Sequence, residues 1–227
     1  MYKNKINLRK VVAIAICLAV TTMFSGCDKD NGNLDNSNNP TVPEGGVLIN
    51  GVVWAKCNVD EVGTFAPTPE SKGKFYQWNI KKAWSATGEV TGWEFEYEFP
   101  AGTKWTKAND PSPTGWRVPT LDEIKSLLNT SKVDRAWDNT KKGYTFTDKT
   151  TKVSIFLPAV GSREWNEGVL SGVCSFGYYW CNEEYNGNGF NIWNASYLTF
   201  YNDAGVIDAN WSTSICTHGF CVRSVAE

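Results

Sequence analysis

An α+β domain is the fold class this sequence predicts. Three observations carry that expectation: one well-capped amphipathic helix, a series of strand-like runs in the second half of the chain, and no regular strand–helix alternation of the βαβ kind. The strands read as mixed or antiparallel, joined by long loops, beside one or two helices.

The helix opens at Thr120, after Pro119, with Glu123 three residues on, which is a capping box. Leu121, Ile124, Leu127 and Leu128 then fall on one face, with Asp122, Glu123 and Lys125 off it, so 120–129 reads as helix with a solvated outer face. A weaker helical or irregular element is predicted over 75–84. Before it, Val47-Leu48-Ile49, Asn50-Gly51, Val52-Val53-Trp54 is a hairpin signal, because Asn-Gly supplies the two positive-φ residues of a type I′ turn. Later runs predict strands over 144–147, 153–157, 177–182, 193–201, 206–211 and 220–225. Asn202-Asp203-Ala204-Gly205 joins the fourth and fifth of these as a hairpin. The segment 87–110 has little periodicity yet holds five aromatics, and a loop of that length inside a compact domain is usually functional or mobile.

The N-terminus predicts location. Lys3, Lys5, Arg9 and Lys10 form a basic head, 11–24 is apolar apart from Thr21 and Thr22, and Ser25-Gly26-Cys27 follows. Such an arrangement reads as a secretory signal, too short for a comfortable membrane span. Its end resembles the lipobox of bacterial lipoprotein precursors, which implies cleavage after residue 26 and acylation of Cys27. Residues 27–46 then read as the lipidated cysteine and a flexible Asn-rich tether, reaching roughly 25 Å as a random chain. Residues 47–227 form one domain. Asp28-Lys29-Asp30 resembles a Bacteroidetes surface-export signal, so the expected location is the outer membrane or cell surface, with the membrane as a partner through the anchor.

Removing the four leader cations moves the formal charge from −2 to −6, which argues against nucleic acid as a partner. His218 is the single histidine, so any serine–histidine or cysteine–histidine chemistry depends on it alone. It reads as a plain loop residue. Arg117 and Arg223 sit beside strongly apolar residues and read as internally hydrogen-bonded.

Several phrases line up in order: Trp54-Ala55-Lys56-Cys57-Asn58-Val59, Gly73-Lys74-Phe75-Tyr76-Gln77-Trp78, Pro113 through Thr120, Phe156 through Gly161, Gly177-Tyr178-Tyr179-Trp180 and Val222-Arg223-Ser224-Val225. Together they resemble the Fibrobacter succinogenes major paralogous domain of surface lipoproteins in the Bacteroidetes. That resemblance implies a C-type-lectin-like fold and no settled activity. Family members usually carry serine where Cys181 and Cys221 stand, so the two strands are expected side by side and bridged. A second bridge, Cys174–Cys216, is implied with less weight, and Cys57 is left free and buried. Spacing alone does not fix connectivity.

Function is expected to be non-catalytic binding of a carbohydrate or another surface ligand. Aromatic rings stack on sugar faces while amides and carboxylates bond hydroxyls, and residues 183–194 concentrate those types. Tyr185, Asn188, Trp193 and Trp211 are the predicted ligand-binding residues, with Trp165 as a possible addition to the same surface. The competing class is a structural or adhesin component of a surface assembly. Calcium is disfavoured: the Glu-Pro-Asn phrase of calcium-binding lectins is missing, and Trp193-Asn194 is followed by Ala195, although Glu183, Glu184, Asn186 and Asn188 carry suitable oxygens. Cys216 and Cys221 have the four-residue spacing of the copper cysteines in formylglycine-generating enzymes, but out of register with that family. No catalytic residue, metal or cofactor is expected.

Overall fold

The computed structural model describes residues 41–95, 104–185, 194–203 and 206–227, all within one compact unit, Asn39–Glu227. Twelve strands appear among them. They form a four-stranded sheet in the order β1(Gly46–Ile49), β2(Val52–Ala55), β12(Val225–Ala226), β3(Trp116–Arg117), and a three-stranded sheet of β4(Val133–Asp138), β5(Gly143–Asp148) and β6(Ser154–Pro158). A second three-stranded sheet runs β11(Val206–Ile215), β10(Asn194–Asp203), β9(Phe176–Glu184), and β7(Ser162–Arg163) pairs with β8(Leu170–Ser171). Every pairing between these strands is antiparallel.

One seven-residue α-helix, α1(Leu121–Leu127), accompanies them, so the domain is closer to all-β than to the predicted α+β class with its C-type-lectin-like description. The helix forms where its capping box predicts. Thr120 accepts from the Glu123 amide, and the Glu123 carboxylate accepts from the Thr120 amide at 2.7 Å. It stops early because the Asn129 carbonyl and side chain take the amides of Val133 and Ser131, which turns the chain into β4. The second helical element over 75–84 is absent for a related reason. Tyr76 and Trp78 donate their amides to the carbonyls of Phe220 and Cys216, Phe75 and Trp84 exchange both backbone bonds, and Asn79 lies at φ 58°. Those donors are no longer available to an i→i−4 ladder.

Both predicted hairpins form. Asn50 and Gly51 take φ of 45° and 83°, and β10 pairs with β11 from Asn194↔Ile215 to Asp203↔Val206. The predicted strand over 220–225 shortens to β12, because Phe220 and Cys221 are spent on single bridges to Tyr76 and Tyr179.

Two aromatic-rich cores meet along β9. Tyr179 and Cys181 belong to the core containing Trp54, Phe146, Leu198 and Phe200, while Trp180 packs with Tyr76, Trp78, Trp105 and Phe220. Two indoles are tied across this seam: Trp180 Nε1 donates to the Tyr76 carbonyl at 2.7 Å and Trp78 Nε1 to the Cys181 carbonyl at 2.9 Å.

No disulfide joins the five domain cysteines in this structure, so neither implied bridge is formed here. The segments holding Cys181 and Cys221 do lie side by side, but the residue opposite Cys221 is Tyr179. Cys181 stands two residues further along β9, roughly 7 Å away by strand rise. Cys221 Sγ faces the Lys72 carbonyl at 3.7 Å, whereas Cys181 faces Ser196. Cys174 is exposed in a turn at φ 65° and Cys216 is buried in the Trp78 core. Cys57 is half-buried, short of the full burial expected.

Candidate functional site

The end of the β9–β10–β11 sheet gathers exposed apolar side chains. Tyr185 donates its amide to the Asn194 carbonyl at 2.8 Å, and Asn194 pairs with Ile215 on β11. From Ile215 the chain turns into His218, whose Nε2 lies 3.5 Å from a Glu164 carboxylate oxygen, and Trp165 follows. Trp93 Nε1 donates to the Trp165 carbonyl at 3.0 Å, and Gln77 Nε2 ties the Glu94 carbonyl, just before Phe95, to that of Thr217. This web joins Phe95, Trp165, Tyr185 and Ile215, which are 47, 43, 37 and 39 % exposed in a domain whose other aromatics are mostly buried.

The surface rests on a stiff base. Trp93 packs on Trp84 at 4.8 Å, and a Cβ added at Gly168 or Gly219 would approach its ring to 2.6 or 2.8 Å. Glycine is therefore required at both positions by close approach. Lys82 Nζ stands 4.3 Å above the Trp84 ring and 3.0 Å from Glu94. The same segments carry carboxylates: Glu94, Glu164, and the half-buried Glu183 and Glu184 at the end of β9.

His218 lies in a turn as expected, and the structure adds its contacts. Its ring packs on Phe220 at 5.5 Å, and Nδ1 lies 3.1 Å from Ser214 Oγ and 3.3 Å from the Ile215 carbonyl. Burial is the main influence and holds its pKa below the ordinary histidine value, against the pull of the Ile215 carbonyl and Glu164. The backbone carbonyl at Nδ1 favours a proton there, which removes that nitrogen as a base for Ser214.

A cleft of about 470 Å³ opens beside the aromatic surface, on the turn between β7 and β8. That turn is tight: Glu164 donates to the Val169 carbonyl at 2.8 Å and Gly168 to the Glu164 carbonyl at 3.0 Å. It presents Trp165 to the surface and Val169, 55 % exposed, to the cleft mouth. A second cleft of about 510 Å³ follows the outer edge of β3, between Trp116 and Trp105.

Of the predicted ligand-binding residues, the structure places Tyr185 on the aromatic surface. Asn188 and Trp193 lie outside the described residues, as does the Trp211 side chain. The Trp211 backbone pairs with Leu198 mid-strand, four residues from the Ile215 end. Phe95, Ile215, Val169 and Glu164 were missed. Their separation in sequence hides them, although the aromatic-rich segment 87–110, which holds Phe95, was a usable signal.

Arg117 and Arg223 behave as their apolar surroundings predict. Arg117 makes a two-pronged pair with Glu123, at 2.9 and 2.6 Å. Arg223 donates to the carbonyls of Ala55, Lys56 and Phe156 and to Asn58 Oδ1.

Among the described residues no group of three or more His, Cys, Asp or Glu side chains is placed to hold a metal ion. Cys216 and Cys221 lie in different cores, and burial pushes both thiols well above the ordinary range. They stay protonated at neutral pH, which is the wrong state for thiolate chemistry. Comparison with protein-family models, with curated proteins and with solved structures finds no match, so the site is defined by its own geometry.

Proposed function

We propose that this chain is a surface lipoprotein whose domain binds carbohydrate without catalysis, through the aromatic end of the β9–β10–β11 sheet. The observation that supports it is the exposure of Phe95, Trp165, Tyr185 and Ile215 on segments linked by hydrogen bonds, with Trp93 tied to Trp165. Exposed apolar patches rimmed by polar groups mark interaction surfaces. Flat rings cover sugar C–H faces, and Glu94, Glu164, Glu183 and Glu184 offer hydroxyl acceptors.

A glycan-array screen of the full chain tests this reading. Binding to a defined glycan, lost in Trp165→Ala with no change in thermal unfolding, is the expected result. A blank array, or undiminished binding by that variant, rejects it. The anchor part rests on the basic head, apolar run and Ser-Gly-Cys27 of the leader. Cys27→Ala should move the protein out of the membrane fraction, and an unchanged distribution would reject lipidation at that residue.

The adhesin reading has one observation in its favour: β11, ten residues long, is the outermost strand of its sheet. Strand addition at such an edge would join protein to protein. A blank array together with self-association in sedimentation would favour it.

A further inference from the structure

Arg163 is 1 % exposed and has no carboxylate partner among the described residues. Its guanidinium is held by carbonyls alone. Nε donates to Ser85 at 2.8 Å, Nη2 to Thr87 at 3.2 Å and to Gly88 at 2.9 Å, and Nη1 to Gly168 at 2.6 Å. Four of the five N–H donors are thus used, and the second N–H of Nη1 has no partner among the described residues. Arg163 also lines the 470 Å³ cleft, whose Glu167, Gly168 and Val169 belong to the same β7–β8 turn as Trp165. Val90, Val169 and Leu170 supply apolar walls, and Glu89 and Glu167 stand at the rim.

Charge decides what fits. A carboxylate or phosphate would meet Glu89 and Glu167 before reaching Arg163. A neutral carbonyl oxygen meets no such barrier and can accept the spare N–H. A methyl group suits the valine and leucine walls, and an amide N–H suits a rim carboxylate. The acetamido substituent of a sugar carries all three features.

Resting on the carbohydrate reading above, we propose that this cleft takes the acetamido group of an N-acetylhexosamine whose ring lies against Trp165. The turn between β7 and β8 holds the two halves of the site together, because it places Trp165 on the surface and Val169 at the cleft mouth. The domain is therefore selective for N-acetylated glycans over their plain counterparts.

Titration of the full chain with N-acetylglucosamine trimer and with cellotriose tests this, since the two β-1,4-linked sugars differ at the substituent in question. An array of matched acetylated and unacetylated glycans extends the comparison. The acetylated member should bind about tenfold more tightly. Val169→Asp, at an exposed position, should bring the pair to within about twofold of each other while leaving thermal unfolding unchanged. Equal binding of matched pairs, or an unaltered preference in Val169→Asp, would overturn the cleft assignment and leave the carbohydrate reading standing. Absence of binding to every glycan would overturn both.

Discussion

Gly177 illustrates how little slack single positions in this core have. A Cβ there would come 2.1 Å from the Phe200 ring, in the core shared with Tyr144, Phe146 and Tyr179. Gly177→Ala should destabilise the domain by about 2–3 kcal/mol, measured as a shift in urea midpoint. A cost under about 0.5 kcal/mol would show that β9 can shift freely. His218 acts through charge instead. Its folded pKa lies below the ordinary histidine value, so as pH falls past about 6.5 the unfolded chain takes up a proton before the folded one does. Stability contributed by the neutral ring is therefore present above that value and is lost as pH falls through the folded pKa. His218→Gln should flatten the stability curve between pH 7 and the folded value. An unchanged slope over that range would show that His218 does not control the loss of stability there.

Elements differ in how far they were legible, and the difference follows the range of their determinants. The Asn50-Gly51 turn and the Thr120–Glu123 box are local, and both form. Gly51 has open space for a Cβ but a φ of 83°, so Gly51→Ala should cost about 1–2 kcal/mol through backbone strain alone. Asn50 adds what no local reading could show: its side chain donates to the Ser126 carbonyl and to Ser126 Oγ, and its amide to Asp148, tying the turn to α1 and β5. Unfolding of the Gly51→Ala variant at an unchanged midpoint would mean that these ties hold the turn regardless of its type. The choice at 75–84 between helix and irregular chain was decided for the irregular form by Phe220 and Cys216, well over a hundred residues away. β4 escaped because Asp134 and Arg135 mask its alternation, and Arg135 donates across to the Ala209 carbonyl of β11 at 2.7 Å. The candidate site shares this character. Tyr185 sat in an aromatic, amide-rich segment and could be read there, whereas Phe95, Glu164 and Ile215 converge only through contacts between segments far apart in sequence, such as Gln77 with the Glu94 carbonyl and His218 with Glu164.

The domain as a whole holds together without cross-links, and that has a measurable consequence. Five cysteines in one domain would invite a disulfide framework in an oxidising compartment. Here two aromatic-rich cores fused along β9, together with the carbonyl-bound Arg163 and Arg223, supply the cohesion instead. Three thiols are sealed inside those cores, where burial pushes Cys181 up to about 12 and the other two likewise upward. Each is therefore protected both sterically and by protonation. A thiol reagent added to the folded protein should modify Cys174 quickly and the half-buried Cys57 more slowly, leaving Cys181, Cys216 and Cys221 silent until unfolding. The urea midpoint should be the same with and without reductant. A Cys181–Cys221 bridge would instead enclose a loop of some forty residues, and its reduction would remove about 2–4 kcal/mol. A midpoint that drops on reduction, with no thiol signal from Cys181 in the unfolded, unreduced chain, would restore the bridge and overturn the free-thiol account of this core.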